Sequence, residues 1–590
     1  MSYNLSSCCR NFEHMHQVSL FIRRFSISAL LMLLVFSAQG QTDWTFKKEV
    51  VDSVLELQYF STQMPGYAMC IIKDGKIVYT GVRGKSSIKL NQKMSSTTQF
   101  NIGSVTKQFT AAAIYLLEEE GKLSLSDNVK KYIPEFPDYP TAITIDQLIH
   151  HTSGIRDHIE VATLLSKYKQ DLNELDGMLS WIQKYPELNA APGTSFAYSN
   201  TNYMLLAVII ERLSGMKYED FLDTQIFKPL GMQATYVERG KHKTLRDGTT
   251  HYDINYKQTH AKPADAIQNA PGATGVITTL EDLVKWDNNF YHNILGKKNQ
   301  SLINKMEQSA VLVDGSDTHY GAGLLVTNYR FKPVIEHSGG WGQYLTQYRR
   351  FPDEGVTVIV CTNAYLMSPF VMCDNVCNTL FNYKNLHLFT QNKIPEIVSK
   401  QICGPYAAEN NLIRYIYTKN NNLYIARIAE GDTTAYPMRY VGPMDNGYAF
   451  MDTTGKSISI VMEGNKPHHL SWDGGTYFGA MRNYQYIDTT LEINFYKYHG
   501  KYYCAALDKK IRIQYFSKED ELTIHPFPFI KYNLISKGGD YYQVEGQPYI
   551  VHFGNGHLLI GNDWVYNIRA DKKIKRHIDL WPFEKKSSEK

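Results

Sequence analysis

The 590-residue sequence has no glycine-rich phosphate loop of the Walker type and no block of lysine and arginine. The first absence removes the simplest cradle for a nucleotide phosphate. The second, with a net charge of only +4, removes the electrostatic footprint of a nucleic-acid partner. Eight cysteines scattered over so long a chain are too few to frame a disulfide scaffold. Two of them, Cys373 and Cys377, fall at i,i+4 in "SPFVMCDNVCNTLF" beside Phe370, Leu380 and Phe381, with no histidines near to complete a zinc set. That stripe reads as core packing, and neither a metal nor an organic cofactor is implied.

What the chain does have begins with a leader. Arg23 and Arg24 precede the short apolar run "FSISALLMLLVFSA", and small residues at Ala38 and Gly40 follow. This is the pattern of a secretory signal over residues 1–40, with Met15 as an alternative start. The run is too short for a comfortable bilayer anchor, so a periplasmic or secreted protein without a stable membrane span is expected. Cys8 and Cys9 would leave with the leader. Export makes disulfides possible for the six that remain.

Length predicts two to four domains. Residues 44–385 mix strands and helices. "GYAMCIIKDGKIVYTGV" reads as a hairpin turning at Asp74-Gly75. "TIDQLIHHTSGI" reads as a helix with a capping box from Thr144 to Gln147, ended by Gly154. Strands return in "YGAGLLVTNY", "GQYLTQYRRF" and "GVTVIVCTNA", and a helix capped by Ser368 with Pro369 at its first position closes the unit. Strands at both ends with helices between predict an α+β domain, its antiparallel sheet shared by distant parts of the chain. After about Lys393 the segments become short, tyrosine-rich and β-prone. "CGPYAAENNLIRYIYTKNNNLYIARI" is echoed by "HGKYYCAALDKKIRIQYFSKEDELTIHPF", matching Gly404 to Tyr406 with Gly500 to Tyr502 and Leu423 to Ile425 with Leu522 to Ile524. The echo predicts two tandem all-β units, barrels or sandwiches, over 393–488 and 489–590.

The chemistry is concentrated in "NIGSVTKQFTAAAIYLLEEEGK". Ser104 opens a helix whose apolar face is Phe109, Ala112, Ala113, Tyr115, Leu116 and Leu117, and Lys107 follows one turn later. One reading makes Ser104 a cap and Lys107 a solvated charge. The other makes them a nucleophile and its activator, since i and i+3 share a helix face. Spacing alone cannot decide: Ser86/Lys89, Ser166/Lys169, Ser214/Lys217 and Ser587/Lys590 have it too. Two further segments supply context. In "APGTSFAYSNTNY", Tyr198 and Asn200 stand just before a helix, and in "EHSGGWGQY", His337, Gly339 and Gly340 open a strand.

Ser-x-x-Lys, Tyr-x-Asn and His-x-Gly in this order resemble the serine penicillin-recognising enzymes. The likeness is to the class C β-lactamase branch, with its D-alanyl-D-alanine carboxypeptidases, esterases and D-aminopeptidases. It runs from about Val50 to Tyr383, and "LIHHTSGI" and "NAPGATGVITTLEDLVKW" also look like family segments. The resemblance implies a β-lactamase/transpeptidase-like domain with a helical subdomain, followed by the two small β domains. It implies Ser104, Lys107 and Tyr198 as catalytic groups, with either Lys107 or Tyr198 as the base. Asn200, His337, Gly339 and Gly340 would bind substrate, and the backbone N–H groups of Ser104 and Gly340 would form an oxyanion hole. His150 and His151 read as support for the site.

The third motif departs from the β-lactamase pattern, because a histidine is largely neutral near pH 7 where lysine is a fixed cation. It resembles the D-aminopeptidase and esterase-like members, as do two β domains behind the catalytic one. The expected activity is hydrolysis of a small peptide or ester, peptidoglycan-derived D-amino-acid peptides first among them, by a carboxypeptidase or aminopeptidase type of enzyme. A broad esterase or β-lactamase, and a catalytically weak peptidoglycan- or glycan-binding protein, are the alternatives.

Overall fold

The computed structural model describes residues 47–381 apart from 57–62, 165–168, 241–243, 255–260, 267, 298–299, 330–331 and 366–367, then 396–408 and the strands between 413 and 572. The leader therefore lies outside the described residues, as does the junction at 385–393. Among the described residues no helix is long and apolar enough to cross a membrane. The chain divides into two compact units, residues 1–57 with 374–388 and residues 58–373 with 389–590. In the first, the described residues form helix Lys48–Glu56, with Val51 and Leu55 buried, and the last part of helix Pro369–Leu380.

In the second unit, six strands form one antiparallel sheet: β1 (Tyr67–Lys73), β2 (Lys76–Arg83), β3 (Leu325–Tyr329), β4 (Lys332–Trp341), β5 (Tyr344–Phe351) and β6 (Val356–Thr362), in the order β3-β4-β5-β6-β1-β2. The N-terminal hairpin thus docks on a sheet made almost 300 residues later in the chain, with Tyr67 opposite Thr362 and Lys73 opposite Val356. The hairpin turns where expected. Asp74 (φ 49°) and Gly75 (φ 75°) both take positive φ, the condition for a two-residue turn that matches strand twist.

Helix α1 (Thr106–Glu119) is buried at every position from Thr106 to Leu117, so it is a central helix and not the amphipathic one its sequence suggests. A 3-10 turn, Gly103–Val105, leads into it, and Gly121 (φ 72°) follows its end. The capping box at Thr144 forms, but its helix α2 (Ile145–Ile149) is only five residues long. It stops before the expected Gly154 because His151 takes a left-handed conformation (φ 56°). Helices α3 (His158–Leu164) and α4 (Asn200–Ser214) pack together beside it. Helix α5 (Leu280–His292), capped by Thr279, lays Trp286 on Phe109 of α1 with ring centroids 4.2 Å apart. Ser368 caps its helix through the N–H of Val371, and Cys373 and Cys377 are both buried.

The C-terminal strands close into two antiparallel eight-stranded barrels, Gly404 to Tyr486 and Gly500 to Lys572. The sequence echo falls on equivalent strands: Gly404 and Gly500 open the first strand of each barrel, while Leu423 and Leu522 lie in the third. In the first barrel Tyr406, Ile416, Ile425, Phe450, Ile460 and Leu470 fill the interior.

Candidate active site

Ser104 sits inside the 3-10 turn, where neither it nor any neighbour makes a side-chain cap to α1. The capping reading of Ser104 therefore fails. Its hydroxyl faces Lys107 instead. Lys107 Nζ stands 3.1 Å from Ser104 Oγ, 2.9 Å from Asn200 Oδ1 and 3.0 Å from the carbonyl oxygen of Ala273. Lys107 is fully enclosed, and burial holds its amine well below the ordinary lysine range, with only the Asp157 carboxylate pulling the other way.

Asn200 is the first residue of α4, and its side chain is spent on Lys107 and not on the helix end. The amide N–H it would otherwise leave orphaned goes to Asp157 Oδ2 at 2.6 Å. Tyr198, two residues earlier, is buried with its ring 4.2 Å from that of His151 and 4.8 Å from Lys107 Nζ. Burial pushes its phenol up, so it holds its proton at neutral pH, and the nearby Ser104 side chain offsets part of that shift. His151 Nδ1 accepts the N–H of Ser199 at 3.2 Å and lies 3.2 Å from Asn202 Nδ2, which leaves its proton on Nε2. The strained loop at His151 thereby holds the Tyr-x-Asn segment in place.

His337 lies on β4 with its ring fully enclosed. Its Nδ1 is 2.6 Å from the Ser338 carbonyl oxygen, which can only accept, so Nδ1 carries the proton. Nε2 then accepts from Tyr320 Oη at 3.1 Å. Burial, reinforced by the nearby Lys107, pushes this histidine down to about 3. Its neighbour Gly339 is also enclosed. A Cβ there would meet the carbonyl oxygen of Ile102 at 1.9 Å and the amide nitrogen of Ser104 at 3.2 Å, while one on Gly103 would meet the amide nitrogen of Gly340 at 2.4 Å. The glycines let strand and serine turn touch backbone to backbone.

Ser104, Asn200 and Gly340 keep access to solvent, whereas Lys107, Tyr198, His337 and Gly339 form the layer behind them. All seven residues singled out by sequence thus converge on one place. Three participants were missed: Asp157, Tyr320 and the Ala273 carbonyl. Only Ala273 had a sequence signal, since it falls in the family-like "NAPGATG" turn.

Residues 47–370 match the Beta-lactamase family. The chain belongs to the Beta-lactamase family. Among its relatives is penicillin-binding protein 4* of Bacillus subtilis (strain 168), 31% identical over 49% of this chain and 66% of that protein, just under two thirds of its length. Protein flp of Staphylococcus aureus (strain MW2) is 27% identical over 63% of this chain and 72% of that one. The octameric penicillin-binding protein homologue from Pyrococcus abyssi shares the fold, with a TM-score of 0.51, 23% identity and coverage of 75% of this chain and all of the other. Membership places the chain in a family of serine hydrolases.

The enclosed histidine gives a stability prediction. Between its unfolded pKa near 6.5 and its folded value of about 3, the unfolded chain binds a proton at His337 that the native chain does not. Stability from this group is therefore complete above about pH 6.5 and lost as pH falls, by up to about 1.4 kcal/mol per pH unit. Urea unfolding from pH 7 to 5 should show a shallower decline in His337→Gln than in wild type.

Proposed function

We propose that this protein hydrolyses an amide or ester through an acyl-enzyme at Ser104, and that its substrate is a D-amino-acid-containing peptide or a close ester analogue. The observation that carries the reading is the set of three oxygens around Lys107 Nζ. Two of them, Asn200 Oδ1 and the Ala273 carbonyl, can only accept. A neutral amine has two N–H bonds and one lone pair, so those two oxygens take both N–H groups. The lone pair is left for the one neighbour that can donate, the Ser104 hydroxyl.

Lys107 then takes the Ser104 proton as Oγ bonds to the substrate carbonyl carbon. The backbone N–H groups of Ser104 and Gly340 receive the developing oxyanion, and loss of one such donor typically costs a few kcal/mol of barrier. Tyr198, protonated and beside Ser104, passes the proton from Lys107 to the leaving amine or alkoxide. Water repeats the sequence in reverse to release the acid. Depressed Lys107 and raised Tyr198 support lysine as the base and tyrosine as the shuttle.

The neutral, enclosed His337 offers no cation to a substrate carboxylate. This favours esters and peptides attacked away from a free C-terminus, the aminopeptidase or esterase type, over carboxypeptidase substrates. The two barrels behind the catalytic domain fit the D-aminopeptidase arrangement. Export to the periplasm or medium follows from the N-terminal leader.

Intact-mass spectrometry tests the reading with a fluorophosphonate, a penicillin and D-alanine p-nitrophenyl ester. The expected result is one adduct, absent from Ser104→Ala, with the ester acylating faster than the penicillin. The name of the Bacillus relative makes penicillin the sharpest comparison. No adduct with any reagent would overturn the acyl-enzyme and favour a glycan-binding role for the barrels.

A further inference from the structure

Asp157 is fully buried, yet it belongs to neither the nucleophile nor its immediate partners. One oxygen, Oδ2, accepts the N–H of Asn200 at 2.6 Å. The other accepts the N–H groups of Ile159 and Glu160 at 3.0 and 3.1 Å. A single carboxylate therefore ties the first turns of α3 and α4 together. Thr201 adds a second strap between the same segments, donating to the Arg156 carbonyl oxygen at 3.0 Å and accepting the N–H of His158 at 3.0 Å. The end of α4 so fixed is the one that carries Asn200, whose Oδ1 lies 2.9 Å from Lys107 Nζ.

Asp157 also supplies charge. The titratable groups gathered about Lys107 are His151 from the α2–α3 loop, Tyr198 and Tyr203 from the α4 segment, and His337 with Tyr320 behind it. Burial keeps each of them neutral near pH 7, and His158, beside Asp157, is lowered as well. Among the described residues, Asp157 is the acidic group whose charge acts on Lys107. Its negative charge favours the ammonium and so limits how far the amine is depressed.

We propose that Asp157 is a positioning residue that holds Asn200 against Lys107 and tunes Lys107 as the base for Ser104. The proposal rests on the acyl-enzyme reading above. Removing the charge disfavours the ammonium further, so the basic amine persists to lower pH. Loss of the anchor at Asn200 independently slows the reaction at every pH. The two consequences separate a tuning role from a structural one.

The test is the rate of fluorophosphonate labelling of the full chain from pH 4.5 to 9, read by intact mass, for wild type, Asp157→Asn, Asp157→Ser and Asp157→Glu. The two uncharged variants should move the acid limb down by about one pH unit, with a plateau at least about tenfold lower. Asp157→Glu keeps the charge and misplaces it, so its plateau should fall while its limb stays. Thermal unfolding identifies the variants that fold, and serine retains a short acceptor for the α3 end if asparagine does not fold. An unmoved limb in either folded uncharged variant overturns the proposal, because structural damage alone scales the whole profile. Wild type that does not label at Ser104 would overturn the acyl-enzyme reading itself, a different failure.

Discussion

Lys107→Met should slow acylation of Ser104 by about 10³-fold or more, the upper part of the range for a positioned general base. Methionine is one heavy atom shorter but keeps the unbranched apolar stem, so most of the enclosed space stays filled. What disappears is the amine 3.1 Å from Ser104 Oγ, and with it the lone pair of its neutral form. A parallel measurement distinguishes a lost base from a damaged fold. Lys107 is depressed by burial in the native state, whereas in the unfolded chain it titrates near 10.4. Between those values the unfolded state holds one more proton than the native state, so wild-type stability rises with pH. The contribution from this one group is up to about 1.4 kcal/mol per pH unit. Urea unfolding at pH 7 to 9 should show that slope in wild type and its absence in Lys107→Met. The variant also leaves Asn200 Oδ1 and the Ala273 carbonyl without their donor, at about 1–3 kcal/mol each, but that loss does not vary with pH. An unchanged slope would mean that native Lys107 is an ammonium, which would hand the role of base to Tyr198.

The residues that could be read from the sequence are those whose side chains do the work and whose neighbours are local. The hairpin turn at Asp74-Gly75 and the capping box at Thr144 are set by contacts within four residues, and both form. The length of α2 was not legible, because His151 leaves helical geometry to meet Ser199 and Asn202, partners fifty residues downstream. Nor was the all-round burial of α1. Thr106, Gln108 and Thr110 look like polar positions bound for solvent, but each is buried: Thr110 meets Tyr218 and the Gly272 carbonyl, Gln108 meets Trp286 Nε1, and Thr106 meets the N–H of Val276. Pattern alone cannot separate a solvated polar side chain from one with a distant partner.

The same limit explains the site. Ser104, Lys107, Tyr198, Asn200 and His337 have functional groups that the motifs name. Ala273 contributes only its backbone, which every residue has. Asp157 looks like a local cap for α3, and it is one; its bond to Asn200 has no sequence trace. Tyr320, just before β3, meets the His337 nitrogen left unprotonated once the Ser338 carbonyl holds the proton on the other one. A histidine in a third motif therefore announces its place in the sequence but not its charge, which is decided by enclosure.

Gly339→Ala should be the most damaging single methyl group that can be added near the serine. The new Cβ would lie 1.9 Å from the Ile102 carbonyl oxygen and 2.9 Å from its carbon, atoms of a backbone that has no rotamer to change. Strand β4 must withdraw from the Ser104 turn, and with it the amide of Gly340. Both proposed oxyanion donors persist after such a shift, but no longer converge on one oxygen. Acylation should fall by about 10²- to 10³-fold, as when an oxyanion donor is lost. Overpacking should cost about 1–3 kcal/mol of stability. Gly340→Ala supplies the contrast. Its Cβ meets only Leu345 Cδ2, at 3.2 Å, the movable end of a side chain, and alanine keeps the backbone N–H. That variant should stay within about tenfold of wild type in labelling rate and within about 1 kcal/mol in stability. Equal damage from the two substitutions would mean that the backbone contact between strand and turn does not align the donors, and that crowding of the opening itself governs the rate.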